Sequence, residues 1–90
     1  MTQNFASGDQ IEAKTIELLE ARDPGKTICP SDAARALAGD GDFRPLMEPV
    51  RTRARQMVGR RELEITQSGR VVDPATTRGA IRLRLPDPRP

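Results

Sequence analysis

The hydrophobic residues near the start of the chain recur at the spacing of one helix face. Asp9 has a side chain that can cap a helix N-terminus, and Asp23-Pro24-Gly25 is a sequence that ends helices. The pattern therefore predicts a first helix that runs from Asp9 to about Arg22. Its inner side is expected to consist of Ile11, Thr15, Ile16, Leu18 and Leu19.

A second helix is predicted after a short extended segment at residues 26–28. Pro30 fits the first position of this helix, because no amide donor is required there. The alanine-rich stretch that follows continues to Ala38, and Gly39-Asp40-Gly41 then stops the helix.

The third helix is expected to begin at Pro49 and to end near Gly59, because a proline interrupts the hydrogen bonds of a helix interior. Residues 43–47 before it are expected to form a turn or a short helical segment. At 100° per residue, the apolar face consists of Val50, Ala54, Met57 and Val58. The opposite face holds Thr52, Arg55 and Gln56, with Arg51 and Arg53 on its flanks.

Beyond residue 59 the hydrophobic spacing changes from helical to alternating, which is typical of half-buried strands. Leu63 and Ile65 are the apolar positions of the first strand, and polar residues at positions 62, 64 and 66 alternate with them. Ser68-Gly69 is a candidate two-residue turn, and Val71-Val72 returns after it. The pattern predicts a β-hairpin.

A final half-buried strand is predicted where apolar residues at positions 81, 83 and 85 alternate with two arginines. Opposite charges pair across neighbouring strands. We therefore expect Arg82 and Arg84 to face Glu62 and Glu64 across the sheet.

The predicted order is helix, short strand, helix, helix and hairpin, which is typical of a winged helix-turn-helix. We expect an α+β domain at residues 9–85, with three helices and a small antiparallel sheet that forms the wing. Residues 1–8 are predicted to be a flexible N-terminus, and residues 86–90 an extended proline-rich tail.

The composition disfavours several kinds of functional site. The chain has no histidine and a single cysteine, so neither an internal disulfide nor a zinc site is expected. No imidazole is present for acid–base work, and no nucleophile–base set can be named, so we expect neither an enzyme nor a cofactor. No apolar stretch has the form of a secretory signal or a membrane span, which predicts a cytoplasmic protein with no membrane partner.

The single cysteine, Cys29, stands at the entrance of the second predicted helix. The positive end of a helix dipole favours a reactive thiolate. Cysteine is more often a buried small apolar residue, and that is the role we expect here.

The net charge is only +2, but the charged residues are unevenly divided. Residues 1–43 contain four basic and eight acidic residues, whereas residues 44–90 contain eleven arginines and five acidic residues. This asymmetry predicts a polarised surface that attracts an anionic partner. The alternative is that the arginines are solvated or paired with Glu48, Glu62 and Glu64.

Several segments of the chain are distinctive. They are Gly25-Lys26-Thr27-Ile28-Cys29-Pro30-Ser31-Asp32-Ala33-Ala34-Arg35, Leu46-Met47 with Val50-Arg51, Glu64-Ile65-Thr66-Gln67-Ser68-Gly69, Val71-Val72-Asp73-Pro74 and Arg78-Gly79-Ala80-Ile81-Arg82-Leu83. On these segments the chain resembles a small bacterial family, domain of unknown function 3253, over about residues 10–86. The resemblance implies a winged-helix fold and brings no activity, ligand or catalytic residue with it.

The polar face of the third helix is the main candidate site. Arg55 and Gln56 have side chains that form bidentate hydrogen bonds with guanine and adenine edges. Thr52 can contact a base or a phosphate, and Arg51 can hold the DNA backbone. The alternative is an ordinary solvated helix face.

Two other places are weaker candidates. Arg70, with Gln67 and Ser68 beside it at the hairpin tip, is expected to reach a phosphate or the minor groove. Lys26 and Ser31 lie near the N-terminus of the second helix, where an anion is well placed.

The sequence thus predicts a non-enzymatic module that binds duplex DNA. One such module offers few contacts, so a homodimer or a partner domain is expected to add affinity. The alternative is a protein–protein interaction module that uses the same basic face on an acidic protein.

Overall fold

The computed structural model describes residues 7–86, and over this range it contains three helices and four short strands. In chain order these are α1 (Gly8–Glu20), β1 (Thr27–Ile28), α2 (Pro30–Ala38), α3 (Arg44–Gly59), β2 (Glu64–Gln67), β3 (Arg70–Val71) and β4 (Arg82–Arg84). The strands form one antiparallel sheet in the order β1-β4-β2-β3. This is an α+β fold consistent with a winged helix. Most of the predicted flexible N-terminus and proline-rich tail, at residues 1–6 and 87–90, lies outside the described residues.

The first helix begins at Gly8, and Ser7 rather than the predicted Asp9 caps it. The Ser7 hydroxyl accepts a hydrogen bond from the Gln10 N–H at 3.1 Å, and the Gln10 side chain accepts one from the Ser7 N–H at 2.8 Å. This reciprocal capping box gives partners to two N–H groups at the start of the helix. Asp9 lies in the first turn instead, and Ser7 and Gly8 belong to the folded domain.

The third helix is continuous over Arg44–Gly59, so the prediction that it begins at Pro49 is wrong. Pro49 is exposed, and its ring removes only the N–H that would have bonded to the carbonyl of Pro45 near the helix start. Leu46 and Val50, on either side of Pro49, are 4% and 1% exposed. Their burial stabilises the helix across the missing hydrogen bond.

A tight hairpin joins β2 to β3, as predicted. Ser68 and Gly69 both have positive φ, 52° and 81°, as a type I′ turn requires. After β3 a connection of residues 72–81, the β3–β4 loop, returns the chain to β4, which pairs between β1 and β2. The sheet therefore carries a short hairpin turn and a second, longer loop.

The outer face of the sheet differs from the prediction. Thr66 is only 2% exposed, although the alternating pattern places it on the polar side. Arg82, its neighbour across the strands, donates from Nε to the Thr27 hydroxyl at 2.6 Å and from Nη1 to the Cys29 sulfur at 2.8 Å. Arg82 therefore contacts the β1 end of the sheet rather than a glutamate.

The other strand arginine follows the prediction. Arg84 lies opposite Glu64 in the register of β2 and β4, and its Nη2 is 2.8 Å from the Glu64 Oε1. Both side chains are 29% exposed, so this ion pair is partly shielded from solvent.

The core contains no aromatic residue among its buried members and has two parts. The part between the sheet and the helices contains Leu19, Ile28, Ala54, Met57, Leu63, Ile65 and Leu83. The part among the three helices contains Ile11, Ala33, Ala34, Leu46 and Val50. Ala33 and Ala34 have no exposed surface, which allows α2 to pack closely against its neighbours. Burial of one side of α3 in both parts turns its polar side outward.

Candidate nucleic-acid interface

The polar side of α3 is exposed, as the helical period predicted. Thr52, Arg55 and Gln56 are exposed, and Arg51 beside them is half-buried. Residues three and four positions apart are neighbours on a helix surface, so these four side chains form one continuous arc. We call Arg51, Thr52, Arg55 and Gln56 the α3 arc.

The two arginines of the α3 arc line a cleft between α3 and the β3–β4 loop. The cleft has a volume of about 340 Å³. Its lining residues are Glu48, Arg51, Arg55, Ile65, Pro74, Thr77, Gly79 and Ile81. The fold thus brings the α3 arc and the longer loop of the sheet to one surface.

Arg55 has weak partners within its own helix. Its Nη2 lies 3.3 Å from the Glu48 Oε2 and 3.2 Å from the Thr52 Oγ1. The side chains of Arg55 and Glu48 are 43% and 72% exposed. Ion pairs this exposed contribute about 0.2–1 kcal/mol, so a phosphate can displace Glu48 at little cost. Among the described residues, Arg51 has no carboxylate within ion-pair distance.

Other arginines of the C-terminal half are engaged elsewhere. Arg53, expected on the flank of the cationic face, binds Glu12 of α1 with Nε 2.7 Å from Oε2. Arg60 binds the other oxygen of Glu12, also at 2.7 Å, and reaches Glu62 at 3.1 Å. The positive surface is therefore narrower than the charge asymmetry alone predicted.

The shared carboxylate of Glu12 is favoured in its ionised form. Hydrogen bonds from the Arg60 guanidinium, and then from Arg53, hold the pKa of Glu12 below its usual value. The hydrogen bond to Glu62 and, with a smaller effect, the one to Glu12 raise the pKa of the Arg60 guanidinium above its ordinary value. This network joins α1 to α3 along the side of α3 that faces away from the cleft.

Lys26 and Ser31 do not join the α3 arc. Lys26 is exposed and lines a different cleft, of about 700 Å³, between the end of α1 and the end of β4. Ser31 is half-buried in the first turn of α2. The Asp32 carboxylate accepts a hydrogen bond from the Cys29 N–H at 2.9 Å. A carboxylate of the chain itself therefore already lies at this helix N-terminus.

The hairpin tip is also separate from the cleft. Arg70 is exposed on the edge strand β3 and does not line the cleft beside α3. The Gln67 amide, expected at the tip, donates instead to the carbonyls of Arg78 and Ala80 in the β3–β4 loop. Sequence reasoning does not single out Arg78. The cue in the sequence is the glycine that follows Arg78, because a glycine in a loop often marks a turn with positive φ. Gly79 does adopt a φ of 90°.

Cys29 is half-buried, and its sulfur lies 2.8 Å from the Arg82 Nη1. Its backbone N–H is the donor to Asp32. Cys29 thus joins the start of α2 to β4, which is a structural contact.

Within residues 7–86, no group of three or more His, Cys, Asp or Glu side chains is placed to hold a metal ion. None of the helices in that range has the length and apolar character needed to cross a membrane.

The fold and this surface define a small α+β domain that presents an arginine-bearing helix beside a loop of its sheet. The chain belongs to the family described as "Protein of unknown function (DUF3253)", whose model matches residues 8–86. The match confirms the resemblance found in the sequence. No curated protein matches the chain.

Proposed function

We propose that this protein is a non-enzymatic, winged-helix module that binds duplex DNA through the α3 arc, with a role like that of a transcription regulator in the bacterial cytoplasm. The observation that supports this most strongly is the exposure of Thr52, Arg55 and Gln56 beside Arg51, on a helix whose other side is buried. An α-helix fits the major groove of B-DNA, so one exposed polar side is what such docking needs.

Each member of the arc has a suitable role. Arg51 and Arg55 neutralise phosphates, because a guanidinium forms short, charge-assisted hydrogen bonds with phosphate oxygens. Gln56 is a ligand for an adenine edge, and Thr52 contacts a base or a phosphate. When Arg55 turns to DNA it exchanges its exposed Glu48 partner for a phosphate.

Phosphate contacts are expected to dominate the affinity. With the two phosphate contacts of Arg51 and Arg55, log K falls with log[salt] at a slope of about −1.8, and affinity falls about 12-fold between about 50 mM and about 200 mM salt. A single domain offers few contacts, so we propose that a homodimer or a partner domain adds the rest.

The test is a fluorescence-anisotropy titration of a labelled random-sequence duplex with the full chain at several salt concentrations. The proposal predicts binding that weakens steeply as salt is added. Binding that is unchanged by salt, or no binding at about 50 mM salt, would refute it.

An acidic protein is the second candidate partner, and one contact favours it. Glu48 already lies 3.3 Å from Arg55, so a carboxylate fits at this surface. The double variant R51Q/R55Q separates the two functions. Under the DNA proposal, the wild type binds duplex DNA and the variant does not. Under the protein proposal, the wild type does not bind duplex DNA, and the variant loses an acidic protein partner in a pull-down.

A further inference from the structure

The first half of the β3–β4 loop is closed by Asp73. Its Oδ1 accepts a hydrogen bond from the Ala75 N–H at 2.9 Å. Its carbonyl accepts from the N–H groups of Thr76 and Thr77, at 3.2 and 3.0 Å, and from the Thr77 hydroxyl at 2.6 Å. These local bonds form a defined turn and fix the backbone up to Thr77.

The second half of the loop is held by Gln67 of β2. The Gln67 Nε2 donates to the Arg78 carbonyl and, at 3.1 Å, to the Ala80 carbonyl. Gly79 between them has a φ of 90°, a conformation that glycine adopts without strain and that lets both carbonyls meet one amide. The backbone of Arg78 is therefore fixed on both sides.

The side chain of Arg78 is exposed, and no carboxylate within residues 7–86 lies within ion-pair distance of it. Its chain neighbours Thr77 and Gly79 line the same cleft as Arg51 and Arg55. Arg78 itself does not line that cleft, but its backbone lies between two residues that do, so a third cation is carried by the loop segment that adjoins the α3 arc. Several cations on one surface attract a polyanion more strongly than scattered ones.

Arg70 has a different place. It directly follows a two-residue turn and lies on β3, the edge strand of the sheet. That turn consists of two residues, and neither Arg70 nor its chain neighbours Gly69 and Val71 line the cleft, whereas both neighbours of Arg78 do. The longer loop, and not the hairpin turn, is the part of the sheet that accompanies α3.

We propose that the β3–β4 loop is the wing that contacts DNA, with Arg78 as its phosphate ligand and Gln67 as the residue that positions it. This inference rests on the proposed DNA binding and replaces Arg70 with Arg78 as the contact made by the sheet. Gln67 acts through Arg78, because its own amide is occupied by the two loop carbonyls.

The experiment measures the affinity of one labelled duplex for the wild type and for R78A, R70A, Q67A and Q67A/R78A, each at several salt concentrations. Loss of one phosphate contact is expected to weaken binding about 5- to 10-fold in R78A and to reduce the steepness of the salt dependence by about 0.9. R70A, the matched control for charge, is expected to stay within about twofold of the wild type and to keep its salt slope.

Non-additivity identifies the positioning role of Gln67. If Gln67 acts through Arg78, Q67A weakens binding, and Q67A/R78A binds no more weakly than R78A alone. A merely structural role for Gln67 would instead lower the Tm and add its effect to that of R78A in the double variant.

The outcomes are distinguishable. Full affinity in R78A together with a loss in R70A would overturn the assignment of the wing, and additive losses would overturn the role of Gln67. Failure of the wild type to bind the duplex would refute the proposed function itself and this inference with it.

Discussion

Arg53 of α3 donates from Nε to the Glu12 Oε2 of α1 across 2.7 Å, although the two residues are 41 positions apart in the chain. The other oxygen of Glu12 binds Arg60, the residue that directly follows α3, so one carboxylate holds both the helix and its C-terminal end. Because Arg53 and Arg60 lie on the side of α3 away from the cleft, this clamp fixes the orientation in which the helix presents Arg51 and Arg55. Stability and the proposed DNA contact therefore use different arginines of the same helix.

Replacing Glu12→Gln is expected to lower the free energy of unfolding by about 1–2 kcal/mol, because two guanidinium groups lose their charged acceptor. Urea unfolding followed by circular dichroism measures the change. Glu17→Gln is the matched control, since it removes a carboxylate of the same helix that is 67% exposed and has a single ion-pair partner among the described residues, Lys14. The control substitution should lower the free energy of unfolding by less than about 0.5 kcal/mol. Equal losses in the two variants would contradict the clamp.

The same carboxylate predicts a pH dependence of stability. The pKa of Glu12 is lower in the folded state than its ordinary value, so ionisation favours folding. This contribution is complete above the ordinary Glu pKa of about 4.3 and is lost as the pH falls through the lower value of the folded state. The Tm of the wild type is expected to fall more steeply than that of E12Q between about pH 5 and about pH 3. Parallel Tm profiles for the two proteins would show that Glu12 contributes nothing to the acid response.

Pro49→Ala tests the continuity of α3. Alanine restores the N–H that can bond to the carbonyl of Pro45, and position 49 is exposed, so the substitution disturbs no buried contact. We expect the variant to be more stable than the wild type by about 1 kcal/mol. Thermal unfolding measures this change. A loss of stability would indicate that Pro49 starts the helix, because proline is favoured at a first helical position.

The order of the elements was predictable because the period of the hydrophobic residues changes once, from helical to alternating, after residue 59. The start of α3 was not predictable in this way. The rule that proline ends a helix takes no account of the burial of Leu46 and Val50 on either side of Pro49. The cap of α1 was misassigned for a related reason. Ser7 and Asp9 are both good capping residues, and in the structure the Gln10 side chain bonds to the N–H of Ser7.

The α3 arc was predictable because its residues share one side of a single helix. The partners of the remaining arginines were not, since Glu12 and Arg53 are neighbours only through the packing of α1 on α3. The bond from Gln67 to the β3–β4 loop is equally invisible to local patterns, and this is why the sequence directs attention to Arg70 and not to Arg78.

The salt dependence of DNA binding by R51Q/R55Q tests the role of the α3 arc most directly. K14Q/R22Q is the matched control, because it removes two positive charges from residues that do not line the cleft beside α3. If Arg51 and Arg55 each neutralise one phosphate, the slope of log K against log[salt] becomes less steep by about 1.8 in R51Q/R55Q and stays at the wild-type value in the control. Slopes that are the same in the wild type and in both double variants would contradict the assignment of DNA binding to the α3 arc.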